Sequence, residues 1–307
     1  MALFSSKAAV LLRPKQWAVL YWQLFINSKL ALWGRKPGRF ARTGFFLPFI
    51  AYVRFMNLVL KPLQWLYCLY AFLLFVVFML LVAPFVFLAL AFGKIKGGNI
   101  IYRLCMIWAR CWYCCIGIRH REIHETPHQS QQQYIFVANH ISYMDIPPLV
   151  LISHQPLRIL GKYEMVKIPV FGWIYRAAVI LVDRSNAETR ARSVRALKSA
   201  IRHGISIFIF PEGTFNETSA PLKSFFDGAF RIAIETETPI KPVLLIDTLE
   251  RLHYKSIFSL TPGPNRVVFL EEVPVSGLTT DDIPRLKQQV YELMDTGLRR
   301  YRTYPSA

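Results

Sequence analysis

The first 121 residues contain no aspartate and no glutamate. Sixteen Lys and Arg stand in that stretch, while the other 21 basic and all 19 acidic residues follow it. The formal net charge of +18 therefore belongs almost wholly to the N-terminal part, and the remainder is close to neutral. Charge is scarce throughout, at 18% of 307 residues against about 25% in an average soluble domain, whereas 53% of residues are hydrophobic. That balance excludes wholesale disorder. The mean hydropathy of +0.30 argues against a purely soluble protein. Five cysteines in a chain of this length exclude a small disulfide-stapled scaffold. There is no internal repeat and no long low-complexity tract. A basic start precedes an apolar stretch, but no small-residue cleavage site follows it, so it does not read as a secretory signal peptide.

The longest gap in charge runs from Lys61 to Lys94. A helix of about twenty such apolar residues crosses a hydrocarbon core of about 30 Å. Pro84 lies inside the run and predicts a kink or break. Two geometries follow: one tilted span, or a bent pair of shorter helices. Ten basic residues precede the run and six follow it before Glu122. A single span would leave one cluster on the non-cytoplasmic side, against the positive-inside tendency. A re-entrant or surface-lying arrangement keeps both beside an anionic cytoplasmic leaflet, and is favoured. Residues 17–33 fit an interfacial helix or, equally, a buried one.

Cys105, Cys111, Cys114 and Cys115 cluster on an expected helix over 99–116, and His120, His124 and His128 follow. The cysteine pair and the first histidine stand too close for usual structural zinc spacing, so no metal site is read here.

Beyond a Gln-rich link at 129–133, short apolar runs alternate with helical patterns. Strands are expected at 134–138, 157–160, 179–182, 205–210, 240–246 and 266–270. Helices are expected at 187–203, 222–236 and 282–301. Such alternation predicts an α/β domain: a mostly parallel sheet flanked by helices, with an N-terminal membrane-embedded or interfacial helical segment. The composition places the boundary between residues 1–121 and 122–307. Sites in such sheets lie beyond the carboxyl ends of the strands.

Four short segments carry chemistry. In the first, Asn139 and His140 follow a strand and Asp145 comes five residues later; an imidazole steadied by a carboxylate can take a proton near neutral pH. The second runs from Val179 to Arg184 and places a guanidinium past a strand end, where it can grip phosphate bidentately, with Lys162 upstream. The third is Phe210-Pro211-Glu212-Gly213-Thr214, a buried strand entering a tight turn. The fourth is a strand interrupted by Pro242, which reads either as an edge strand or as a bend that shapes a pocket.

In this order, over roughly 133–245, these segments resemble the 1-acylglycerol-3-phosphate acyltransferase family, the glycerolipid acyltransferases. The resemblance implies acyl transfer from a thioester, acyl-CoA or acyl carrier protein, to a lipid hydroxyl, giving phosphatidate from 1-acylglycerol-3-phosphate. It implies His140 as general base and Asp145 as the group that orients it. Arg184 would bind the acceptor phosphate, Glu212, Gly213 and Thr214 would position the acceptor, and Asn139 and Lys162 would complete the substrate-binding set. No metal and no further cofactor are expected. The implied partners are membrane lipids and the thioester carrier, with the catalytic domain facing the cytosol at the cytoplasmic membrane. Nucleic acid is not an expected partner, because the folded domain lacks excess positive charge.

Two departures from the family pattern bear on the acceptor. Phe215 stands where an Arg is common, and Asp227 where a Lys is common. Lys223 or Arg231 can compensate. Otherwise the acceptor is another lyso-lipid, such as an aminoacyl lipid. A non-catalytic basic membrane-binding protein is the alternative of another class.

Overall fold

A computed structural model of the chain describes residues 46–127, 129, 131–152, 154–182 and 187–302. The expected interfacial helix at 17–33 lies outside them. The chain forms two compact units, Met1–Lys61 and Pro62–Ala307. Of the first, only the beginning of a helix is described. The composition changes after Arg121, inside a strand.

Helix α1 spans Phe46–Leu90 and α2 spans Gly98–Cys115. The helix continues through Pro84. A proline there removes one backbone donor, but Ala83, Val86 and Ala89 remain buried against neighbours on either side of it. The turn comes later, at 91–97. Gly97 permits it: a Cβ at that position would stand 2.2 Å from the Ala89 carbonyl oxygen. Within the second unit α1 and α2 then run back along each other. Phe75 packs on Trp108 and Trp112, with centroids at 4.6 and 5.3 Å. Trp112 Nε1 donates to the Ala71 carbonyl at 2.8 Å, and Tyr67 Oη donates to that of Ile116 at 2.6 Å.

The remaining elements are β1 (Ile118–His124), β2 (Ile135–Ala138), α3 (Ile146–Leu151), β3 (Leu157–Lys162), α4 (Phe171–Ala178), β4 (Val179–Val182), α5 (Ala187–Arg202), β5 (Ser206–Ile209), α6 (Gly228–Glu235), β6 (Ile240–Leu245), α7 (Thr248–Arg251), β7 (Gly263–Phe269) and α8 (Ile283–Tyr301). Seven strands form one sheet in the order β1-β7-β6-β2-β5-β3-β4. Every neighbouring pair is parallel except β6 with β7. The expected α/β architecture with a mostly parallel sheet is therefore present, with one antiparallel seam.

Proline 242 sits in a central strand, not at an edge. It lies opposite Val137 of β2, and its carbonyl accepts from Leu270 N–H at 3.0 Å. Lacking an N–H, it cannot return that bond. The Leu270 carbonyl accepts from Thr126 Oγ1 instead, at 3.4 Å. One side chain thus offsets the missing ladder donor.

One core lies under α5, α6 and α8, where Leu286, Val290, Met294 and Leu298 recur at helical spacing and are fully buried. Each such side chain contributes roughly 1.5–3 kcal/mol by leaving water. A second buried cluster joins α1 and α2 to Met144, Leu151 and Ile174.

Candidate active site

Strand β2 ends at Ala138, and its chain passes directly into Asn139 and His140. Ser142 caps the next turn, accepting from Met144 N–H at 3.0 Å, and so delivers Asp145 back toward His140. His140 Nδ1 lies 2.8 Å from Asp145 Oδ2. The same oxygen accepts the N–H groups of Ile141 at 2.7 Å and Ser142 at 2.9 Å. Asp145 is fully buried and His140 is 17% exposed. An ionised carboxylate can only accept. Nδ1 therefore donates, and Nε2 is left as the ring nitrogen with a lone pair.

The His140 imidazole is boxed by aromatic rings. Phe210 stacks on His140 at 3.9 Å and 15°, and Phe215 meets it edge-on at 4.4 Å and 70°. Tyr143, over half exposed, stands edge-on to Phe215 at 4.8 Å.

Strand β5 is the parallel neighbour of β2 and runs into the Phe210–Thr214 turn. Gly213 has φ +72°, a left-handed conformation that favours glycine. Glu212 is buried. Its Oε1 accepts His140 N–H and its Oε2 accepts Lys223 N–H, each at 2.8 Å. Burial pushes its carboxyl up to about 7, against the pull of those two donors. Asn139 is buried too, with Nδ2 donating to the Leu245 carbonyl at 3.0 Å and Oδ1 accepting Leu245 N–H at 2.8 Å. Lys223 Nζ donates to Thr214 Oγ1 at 2.7 Å on the exposed rim.

The structure thus brings together His140, Asp145, Asn139, Glu212, Gly213 and Thr214 at the carboxyl ends of β2, β5 and β6. Lys162 ends β3 as an exposed side chain whose ammonium stands 3.5 Å from Glu164. Arg184 lies outside the described residues. Asp227, exposed, pairs with Lys287 at 2.7 Å. Sequence reasoning missed Phe210 and Tyr143 as walls and Asn216, whose N–H donates to the His140 carbonyl at 2.7 Å. Phe210 stood next to the recognised turn and was the one with a signal. Of the histidines after α2, His120 and His124 stand 3.2 and 3.4 Å from Glu122, where His154 joins them at 2.9 Å, and His128 lies outside the described residues. Burial raises the Glu122 pKa, but the bonds with His120 and His154 outweigh it and hold the group near 2. Among the described residues no group of three or more His, Cys, Asp or Glu is arranged to hold a metal ion.

Residues 118–246 match the family model described as Acyltransferase. The chain is 28% identical over 224 residues to the 1-acyl-sn-glycerol-3-phosphate acyltransferase alpha of Homo sapiens, covering 70% of this chain and 77% of that one. It is 28% identical over 204 residues to the human beta protein of the same name, covering 65% and 73%. Over residues 118–246 the chain is similar to the acyltransferase family. A crystal structure of the 1-acyl-sn-glycerophosphate (LPA) acyltransferase PlsC from Thermotoga maritima shares the fold, with a TM-score of 0.63 at 23% identity over 80% of this chain and 99% of that one. The matched region holds the imidazole–carboxylate pair, the Phe210–Thr214 turn and β2 to β6. It ends at Ile246, one residue past the Leu245 backbone that Asn139 grips.

Proposed function

We propose that this acyltransferase moves a fatty acyl chain from a thioester, acyl-CoA or acyl carrier protein, to the free hydroxyl of 1-acylglycerol-3-phosphate. The product is phosphatidate. The observation that carries the reading is the 2.8 Å His140–Asp145 contact at the end of a sheet strand. A hydroxyl is a poor nucleophile at neutral pH, whereas a thioester is already activated. A base that takes the hydroxyl proton at Nε2, held in register with the donor carbonyl, is chemically sufficient. The oxygen attacks the thioester carbon, the C–S bond breaks, and the thiol leaves with the proton from the imidazolium. Neither a metal nor a covalent enzyme intermediate is needed for this route.

The site works at a membrane surface in this reading. Residues Leu60–Leu90 are long and apolar enough to cross a bilayer by length and composition. Leu66, Leu69, Leu73, Leu80, Leu81 and Leu88 are all exposed. Two contacts favour lying along the membrane over crossing it. Trp65 packs on Phe258 at 6.1 Å, and Phe87 packs on Trp173 at 5.6 Å. These ends of the helix are about 33 Å apart at 1.5 Å per residue. The folded domain therefore flanks both ends, and a crossing helix would draw it into the hydrocarbon. The basic N-terminal part suits the anionic cytoplasmic leaflet.

A second acceptor reading has its own observation. Phe215, not a cation, stands against His140, and Asp227 is engaged by Lys287. This arrangement suits a lyso-lipid with less headgroup charge, such as an aminoacyl lipid. The test offers purified protein 1-acylglycerol-3-phosphate and a phosphate-free lyso-lipid in parallel, with one labelled acyl-CoA. Turnover of the first alone supports the main reading. His140→Ala abolishes transfer and leaves vesicle binding intact; full turnover by that variant removes the assigned base.

A further inference from the structure

The side chains of Asn139 and Glu212 border the base, yet both are spent on the main chain. Asn139 is 2% exposed and Glu212 is 1% exposed. Asn139 answers both the donor and the acceptor of Leu245. Each oxygen of Glu212 takes one backbone N–H, from His140 and from Lys223. At that burial a headgroup could reach either side chain only by displacing the main chain packed on it.

We infer that Asn139 and Glu212 are positioning residues that hold the main chain of the base, and are not ligands of the acyl acceptor. The inference rests on the reading of His140 as that base. His140 N–H is held by Glu212, and its carbonyl accepts from Asn216 N–H at 2.7 Å. Both peptide groups around its Cα are thus fixed by one segment, residues 211–226. The preceding residue is fixed to β6 through Leu245. The same segment supplies Phe215, and the residue just before it is Phe210; together they hold the ring. Asp145 fixes the torsion of the imidazole and holds the Ile141 and Ser142 N–H groups that follow; the bonds from Glu212, Asn216 and Asn139 fix where the imidazole starts from. Misplacement of a reacting group by about 1 Å can cost about 10²-fold in rate.

The residue types follow from the geometry. Two N–H groups converge on Glu212 from segments far apart in sequence, and a carboxylate accepts from both. A glutamine has one acceptor oxygen, so its amide would set an N–H against an N–H. Asn139 must donate and accept at once toward one backbone unit, which an amide does and a carboxylate does not.

The test uses full-length enzyme in detergent micelles, with oleoyl-CoA and 1-acylglycerol-3-phosphate. Glu212→Gln and Asn139→Asp are compared with wild type for kcat, for the acceptor KM, and for the low-field proton resonance of the His140 Nδ1–H. Expected is a loss in kcat of about 10- to 100-fold, an acceptor KM changed less than about threefold, and a shifted or broadened resonance. An acceptor KM raised tenfold or more, with kcat and resonance unchanged, would overturn the inference and restore an acceptor role. Mixed kinetics are decided by the resonance. If Asn139→Asp does not fold, the near-isosteric Glu212→Gln decides alone. If wild type turns over no lyso-lipid at all, the proposed activity fails, and the resonance in Glu212→Gln still tests the positioning: a shift supports it and no change overturns it.

Discussion

Replacing Asp145 by asparagine preserves the shape of the side chain and removes its charge. In the wild type one oxygen, Oδ2, serves three donors: the imidazole Nδ1–H and the N–H groups of Ile141 and Ser142. In the proposed mechanism His140 becomes a cation as it takes the hydroxyl proton, and Asp145 is the anion 2.8 Å from its ring nitrogen. With charge centres about 4 Å apart and an effective dielectric constant of about 20, the attraction is about 4 kcal/mol. It exists only once the proton has moved, so it lowers the barrier without tightening acceptor binding. Its loss corresponds to about 10³-fold in kcat. The acceptor KM is expected to stay within about threefold. The asparagine oxygen keeps the backbone N–H bonds if its amide group turns away, so folding should lose only about 1–3 kcal/mol. The assay is single-turnover acyl transfer at saturating thioester, with urea denaturation as the control for folding. The double variant His140→Ala with Asp145→Asn should be no slower than His140→Ala alone, because the two residues act as a unit. A rate for Asp145→Asn within tenfold of wild type, in folded protein, would refute the role of the buried anion.

Phe215→Arg places a cation beside His140 and is expected to shift relative kcat/KM toward 1-acylglycerol-3-phosphate over a phosphate-free lyso-lipid by about tenfold, about 1.4 kcal/mol. Parallel assays at low and high salt check it, and the gain should shrink with salt. Phe258→Ser with Trp173→Ser removes the exposed aromatics at both ends of the helix stripe; each would gain about 1.5–3 kcal/mol by entering the bilayer, so partitioning onto anionic vesicles in a sedimentation assay should fall by at least roughly tenfold. Glu212 makes stability depend on pH. Its carboxyl titrates near 7 in the folded protein against an unperturbed 4.5, so the native state holds the extra proton between those values. Stability should therefore fall as pH rises from 4.5 to 7, by on the order of 3 kcal/mol from this group. Glu212→Gln should flatten that slope in chemical denaturation at a series of pH values, and an unchanged slope would assign it to other groups.

The sheet was legible where strands are buried on both faces. Residues 134–138 were expected and form β2 at Ile135–Ala138, buried at every position, because an uninterrupted apolar run after a polar link has little else to be. Strand β1 was not expected. Its sequence, Ile-Arg-His-Arg-Glu-Ile-His, is an edge strand whose polar side chains remain partly exposed, so composition hid it. Helix α3 begins directly after Asp145, and Pro147 and Pro148 are tolerated because they fall in its first turn. Helix α6 was expected to begin at residue 222 and begins at Gly228. The backbone donors of Lys223 and Phe226 go to Glu212 and Pro211, which keeps that segment extended. The same bonds explain what was illegible in the site. The pairing of His140 with Asp145 is local and could be read from spacing. What Asn139 and Glu212 touch depends on backbone at Leu245 and Lys223, and no local pattern reports it.

The surface proposed to meet lipid and the loop bearing the base are parts of one packed body. Tyr102 of α2 donates to the Leu149 carbonyl of α3 at 2.7 Å. Helix α3 begins at the residue after Asp145, and Met144 is buried with Trp108 and Trp112 of α2. The hairpin end is tied as well: Arg158, near the start of β3, donates to the Ile95 carbonyl at 3.2 Å. A lyso-lipid whose tail stays in the bilayer has its hydroxyl confined to a narrow depth. For such a substrate the depth of the base matters more than its mobility, because a few ångströms decide whether Nε2 and the hydroxyl meet. Packing α2 against the segment that follows Asp145 sets that depth through contacts between α2 and α3, not through a flexible linker. The apolar hairpin would then act as part of the catalytic geometry as well as an anchor, since it would convert the position of the membrane surface into the position of an imidazole.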